Sequence, residues 1–231
     1  MINQQGNPMK KRVIFTVVLS ACVLAGCGSK QDVNEKNFGA AISQYLDKKG
    51  ELCLGVDEWP FDVDKRDLEM QKTLPTGKAA QMEALASVGF VSGTDTEVEV
   101  KGWFSTKGQK ANVKRYVLTD AGKKFYIEQE AKSVGLDGVK KIMKGDICYG
   151  KKSLDKVVKW EGPMKLGDYQ EATVKYLYNI DGLADWTKKA EIQTAFPYIV
   201  RVIDGAGKEE ARGIVKLTSE GWEHKGLDSS F

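Results

Sequence analysis

Few residues in this 231-residue chain could carry chemistry: one histidine, four cysteines and a scatter of carboxylates. His224 stands alone near the C-terminus, and a Ser-His-Asp relay or a metal site would need partners at a recognisable spacing. A metal site built from Cys53, Cys148 and His224 is conceivable. A disulfide between the two cysteines and a solvent-exposed histidine form the simpler expectation. Ser153-Leu154-Asp155-Lys156 has the S-x-x-K spacing by which an amine can activate a serine, but no K-T-G companion follows. Leu74-Pro75-Thr76-Gly77-Lys78 lacks the G-x-x-x-x-G-K-[ST] spacing that wraps backbone N–H groups around a phosphate. No carboxylate pair is marked out as an acid/base couple. Trp59, Phe61, Trp103, Phe104, Tyr176, Tyr178, Trp186 and Trp222 could line a groove or simply pack. The expectation is therefore no catalytic set, no cofactor and no metal.

The N-terminus is more informative. Lys10-Lys11-Arg12 is followed by the uncharged stretch Val13 to Leu24, the order of an export signal. That stretch is short of the roughly 20 residues a membrane-spanning helix needs. Met9 opens a better-formed signal than Met1 does. The run ends Leu24-Ala25-Gly26-Cys27, which resembles the lipobox of bacterial lipoproteins. The resemblance implies cleavage before Cys27 and a lipid on its thiol. An ordinary secretory signal with an incidental cysteine is the competing reading. Leu19-Ser20-Ala21-Cys22 fits the same pattern, but a cut there leaves a very short apolar stretch and an apolar mature start, Val23-Leu24. Gly28, rather than aspartate, follows Cys27. By the family's sorting rule this implies the outer membrane, facing the periplasm.

Charge and cysteine counts follow from that cut. The formal charge of +3 comes from 35 basic and 32 acidic residues, and Lys10, Lys11 and Arg12 account for the whole excess. A neutral mature chain lacks the basic field of a nucleic-acid binder. Once Cys22 leaves and Cys27 is acylated, Cys53 and Cys148 remain as an even pair in an oxidising compartment. The alternatives for them are a disulfide and two buried thiols.

The elements that must position these residues read as follows. Residues 28–35 look like a flexible tether. Phe38, Ala41, Ile42, Tyr45 and Leu46 have helical spacing, and Gly50 follows as a C-cap. Residues 77–90 suggest a second helix. Residues 96–103 and 111–118 alternate as strands around a turn at 106–109. Thr119 is placed to cap a short helix. Farther on, residues 156–160, 172–180, 198–203 and 213–217 are strand-like, and residues 183–196 suggest a helix stopped by Pro197.

Two larger patterns emerge. Met82, Leu85, Val88, Gly89 and Phe90, the hairpin, and the step Leu118-Thr119-x-x-Gly122 together resemble the second half of a winged-helix domain over about 78–126. On a neutral exported chain this implies a protein contact or a structural role rather than DNA binding. In addition, Lys49-Gly50-Glu51-Leu52-Cys53-Leu54-Gly55 echoes Lys144-Gly145-Asp146-Ile147-Cys148-Tyr149-Gly150, and Leu118 to Gly122 echoes Leu217 to Gly221. Chance similarity of short motifs competes with a true repeat.

The expected organisation is an α+β chain: signal 1–26, lipidated tether 27–35, winged-helix-like half 36–132, and a half richer in antiparallel β over 133–231. The expected function is lipid-anchored binding at the envelope, as an interaction module or an inhibitor-type lipoprotein, with partners limited to the membrane and an envelope protein. A periplasmic hydrolase with an unrecognised site is the alternative, and it requires a deep pocket with convergent polar groups.

Overall fold

Phe38, Ala41, Ile42 and Leu46 form one apolar stripe, and that stripe fixes the first helix, α1 (Glu35–Lys49). The Asn34 side chain accepts the Asn37 N–H at 2.8 Å to start it. The Gly50 N–H reaches the Leu46 carbonyl at 2.8 Å to end it. A Cβ on Gly50 would lie 2.3 Å from the Leu46 oxygen and 2.7 Å from the Lys152 oxygen, so the stop requires glycine. The computed structural model describes residues 29–56, 59–99, 109–135 and 138–228, together with Met1. Cys22, Cys27 and the signal, most of the expected turn at 106–109, and Trp103 and Phe104 lie outside the described residues.

The elements after α1 run in the order β1 (Glu51–Cys53), β2 (Phe61–Asp64), α2 (Lys65–Met70), α3 (Lys78–Ser87), β3 (Val91–Glu99), β4 (Lys110–Leu118), α4 (Asp120–Lys123) and β5 (Tyr126–Gly135). Then follow β6 (Gly138–Leu166), β7 (Tyr169–Asp181), α5 (Ala190–Ala195), α6 (Pro197–Gly205), β8 (Ala211–Thr218) and β9 (Gly221–His224). The chain is α+β, with antiparallel strand pairing in both sheets.

Strand β6 is the spine. Its first part pairs with β5, its middle with β1, and its last part with β7, which continues to β8 and β9. A separate three-stranded sheet has the order β2-β4-β3. Each sheet covers its own core. Phe38, Ala41, Ile42 and Leu46 of α1 bury against Ala172, Val174, Tyr176 and Val215. The second core gathers Val63, Met82, Leu85 and Tyr116 with Ile147, Tyr149, Trp186, Phe196 and Ile199. Each large side chain buried this way contributes about 1.5–3 kcal/mol of transfer free energy.

Several expectations meet a different structure. Residues 198–203 are helix α6 rather than strand. Helix α5 ends at Ala195, just before Pro197 as expected, and Pro197 also opens α6 at its first turn, where proline's missing N–H is not needed and its fixed φ suits the helix. Ile199, Val202 and Ile203 then face inward at helical, not alternating, spacing. The segment expected to be a flexible tether is pinned at residues 29–32. Asn37 Nδ2 donates to the Ser29 and Asp32 carbonyls at 2.8 and 2.9 Å, and Trp222 Nε1 donates to the Gln31 carbonyl at 3.0 Å. The boundary expected after residue 132 falls inside the β5–β6 hairpin, and both cores draw on residues from either side of it. The two echoing heptads pair with each other, Leu52 opposite Gly150 and Cys53 opposite Cys148. A helix precedes the first heptad and a strand the second.

The step Leu118-Thr119-x-x-Gly122 has a local cause. Thr119 Oγ1 donates to the Gly89 carbonyl at 2.6 Å and accepts the Gly122 N–H at 3.1 Å, capping α4. A Cβ on Gly122 would lie 2.1 Å from the Phe90 carbonyl oxygen. Gly122→Ala must therefore push α4 off the turn that precedes β3. The expected loss is about 1–3 kcal/mol of stability, read as a lower urea midpoint with unchanged slope. An unchanged midpoint would show that this contact carries no load.

Candidate functional site

Cys53 and Cys148 meet. They are bonded at an S–S distance of 2.01 Å, with their Cα atoms 3.8 Å apart across the β1–β6 pair. The Asp146 carboxylate beside them accepts the N–H groups of Gly55 at 2.6 Å, Val56 at 3.1 Å and Ile147 at 2.7 Å. The Tyr198 hydroxyl donates to the Cys53 carbonyl at 3.3 Å. This junction fastens the loop after β1 to β6 and to α6. With both sulfurs in the bridge, the conceivable Cys-Cys-His metal site does not form. Among the described residues no cluster of three or more His, Cys, Asp or Glu side chains is placed to hold a metal.

His224 is buried rather than solvent-exposed. Its ring stacks on Tyr45 with centroids 3.7 Å apart, and Nδ1 accepts the Gly226 N–H at 2.9 Å. A Cβ on Gly213 would approach its Nε2 to 3.0 Å, so glycine makes room for the ring on β8. The C-terminal position misled because β9 returns the chain to the sheet beneath α1. Ser153 is half-buried in mid-strand and Lys156 is exposed on the same strand. Gly77 caps α3, and Lys78 Nζ stands 5.9 Å from the Phe61 ring centroid. Of the aromatic candidates, Tyr176, Tyr178, Trp186 and Trp222 are core, while Trp59 and Phe61 pack against it. Lys152 Nζ sits 3.9 Å from the Tyr178 ring centroid, and burial holds its amine below the usual lysine range.

What sequence reasoning missed is a groove of about 510 Å³ along the small sheet. Lys65 and Leu68 of α2 form one wall, Asp95, Thr96 and Glu97 of β3 and Asn112, Val113 and Lys114 of β4 the rest. At its edge, Lys114 Nζ and the Tyr116 hydroxyl donate to the same Glu83 oxygen, at 2.7 and 2.5 Å. The hydrogen bond from Lys114 holds the Glu83 carboxyl low, and the carboxylate in turn holds the Lys114 amine high. Burial, reinforced by Glu83, pushes the Tyr116 hydroxyl up to about 12. Each shift moves the group away from neutral pH, so the trio fixes charge and does not lend itself to proton transfer. On the opposite face Arg115 donates twice to the Asp62 carboxylate, both at 2.7 Å. That pair ties the β2 edge to β4 and holds the Asp62 carboxyl below its usual range. The alternation of Lys114 and Arg115 along one strand was the available signal, but their acidic partners lie 31 and 53 residues away.

No family model, curated protein or solved structure matches this chain. No described helix is long and apolar enough to cross a membrane.

His224 supplies a clean pH test because it is the chain's single histidine. Burial holds its folded pKa below the ordinary histidine value. The unfolded chain thus binds the proton first as pH falls, so stability is full above about pH 6.5 and declines below it until the folded ring also protonates. The one histidine ring resonance is expected to titrate below the ordinary value. His224→Gln, which keeps an acceptor for Gly226, should flatten the decline in unfolding midpoint between pH 7 and pH 5. A ring that titrates like a free histidine contradicts the burial.

Proposed function

We propose that this chain is a lipoprotein of the bacterial envelope, acylated on Cys27, facing the periplasm from the outer membrane and acting by binding rather than catalysis. The observation that carries this reading is the ordered N-terminal run: Lys10-Lys11-Arg12, the uncharged stretch to Leu24, then Leu24-Ala25-Gly26-Cys27. The Cys53–Cys148 bridge supports it, because structural disulfides persist in oxidising compartments.

The groove supports binding to another envelope protein. Its walls carry Lys65, Asp95, Glu97 and Lys114 around an apolar floor that includes Leu68 and Val113, a mixture suited to a protein partner rather than to a polyanion. The unit β2-α2-α3-β3-β4, with its first strand on the outer edge of the hairpin, supports a winged-helix-like reading of residues 78–126, here as a protein-binding module. In this chain α1 packs on the other sheet instead.

Growth of expressing cells with labelled palmitate tests the anchor. The full chain should take up label and fractionate with membranes, and Cys27→Ala should lose the label and accumulate uncut. A labelled Cys27→Ala chain, or an unlabelled parent chain, contradicts the reading.

A further inference from the structure

The lipid reading becomes sharper once the pinned start of the chain is taken into account. Ser29, Gln31 and Asp32 are hydrogen-bonded to the body, and the Lys30 carbonyl lies 2.9 Å from where a Cβ on Gly221 would stand. Only two peptide units separate Ser29 from Cys27, so the acylated residue can be no more than about 7 Å from the folded body. A body held that close must lay one end against the lipid.

Strand register identifies that end. Lys216 of β8 pairs with Glu171 of β7, so two residues on, Thr218 comes level with Tyr169. Thr218 in turn pairs with Gly221 of β9, which touches Lys30. Tyr169 pairs with Leu166 at the tip of the β6–β7 hairpin. The start of the chain and the hairpin tip therefore lie in one row across the sheet. Two strand spacings, about 10 Å, separate Tyr169 from Gly221.

The tip carries what a lipid interface accepts. Leu166 is 83% exposed and Met164 68%, the two most exposed large apolar side chains among the described residues after Met1. Paired residues share a face, so Met164, Leu166 and Tyr169 lie on one face of the tip, with Glu171 opposite Met164 behind them. The Tyr169 hydroxyl donates to Glu171 at 2.7 Å, and Lys225 Nζ pairs with the same Glu171 oxygen at 2.9 Å. A polar, self-neutralised base thus stands behind an apolar tip with a tyrosine at the boundary, the arrangement of interfacial anchors.

We propose that the β6–β7 hairpin tip, through Met164, Leu166 and Tyr169, is a membrane-contact surface seated in the lipid interface beside Cys27. The proposal rests on the reading of Cys27 as acylated, and it adds a fixed orientation: this end of the large sheet faces the lipid. The α6–β8 turn, where β8 begins opposite Tyr176, then faces away from it.

Two variants of the full chain that each add one free cysteine test this, Leu166→Cys and Lys208→Cys, the second on the distal turn. Both positions are exposed, so neither should disturb folding. Each is labelled with an environment-sensitive dye after purification from membranes and reconstituted in phosphatidylethanolamine–phosphatidylglycerol vesicles bearing a headgroup-depth spin label. The dye at 166 should be blue-shifted and quenched about three-fold more than the dye at 208. Equal quenching on protein that still floats with the vesicles overturns the contact and leaves the anchor reading intact. A dye at 166 that is shifted but unquenched, with a shift that grows with protein concentration, assigns the tip to a second copy of the chain and also overturns the contact. Absence of an acyl mass on Cys27, with no flotation, overturns the anchor reading and the contact together.

Discussion

Everything in this fold hangs on one short antiparallel contact, the pairing of β1 with the middle of β6, locked by the Cys53–Cys148 bridge. The bridge closes a loop of 95 residues that contains the whole small sheet with α2, α3 and α4. In the chain-entropy model a loop of that length confers about 4–5 kcal/mol on the folded state. The neighbouring groups depend on the same contact. Asp146 can cap the loop N–H groups of Gly55 and Val56 only while β1 lies beside β6. On the same stretch of β6, Ile147 and Tyr149 supply core residues to the small-sheet side. From there β6 runs on to build the large sheet over which α1 lies. A three-residue strand is a weak element alone, and the covalent link compensates for its length.

Local patterns were legible in the sequence, and long-range ones were not. The α1 stripe, α3, the β3–β4 hairpin and the Thr119 cap rest on contacts within a few residues, where spacing and side-chain type are sufficient. Of the 29-residue strand β6 only residues 156–160 read as a strand, because bulges break the alternation along it. Helix α6 was lost because a β-branched run was weighed above the proline that opens it. His224 looked terminal and free, yet the ring it stacks on, Tyr45, comes from α1 far back in the chain. The disulfide was legible through parity alone. That its two cysteines sit in echoing heptads that pair with each other needed the register.

The site follows the same division. Several charged groups of the small sheet belong to pairs assembled from separate elements: Lys114 with Glu83, Arg115 with Asp62, Lys110 with Glu97. Such exposed or half-buried pairs add little stability. Their effect is to fix side-chain positions along a surface, which suits recognition of a partner. If Cys27 carries the proposed lipid, a body folded from Ser29 onward would give the groove and hairpin tip a defined relation to the membrane, which a long loose tether would not.

The most direct measurement is differential thiol tagging of the chain in intact cells. Cells are quenched in acid, free thiols are tagged with a mass label, and the tagging is repeated after reduction. A mature chain acylated on Cys27 and bridged between Cys53 and Cys148 takes no tag before reduction and two after it. Tags on the mature chain before reduction, or a third tag after it, would contradict the proposed lipid or the bridge.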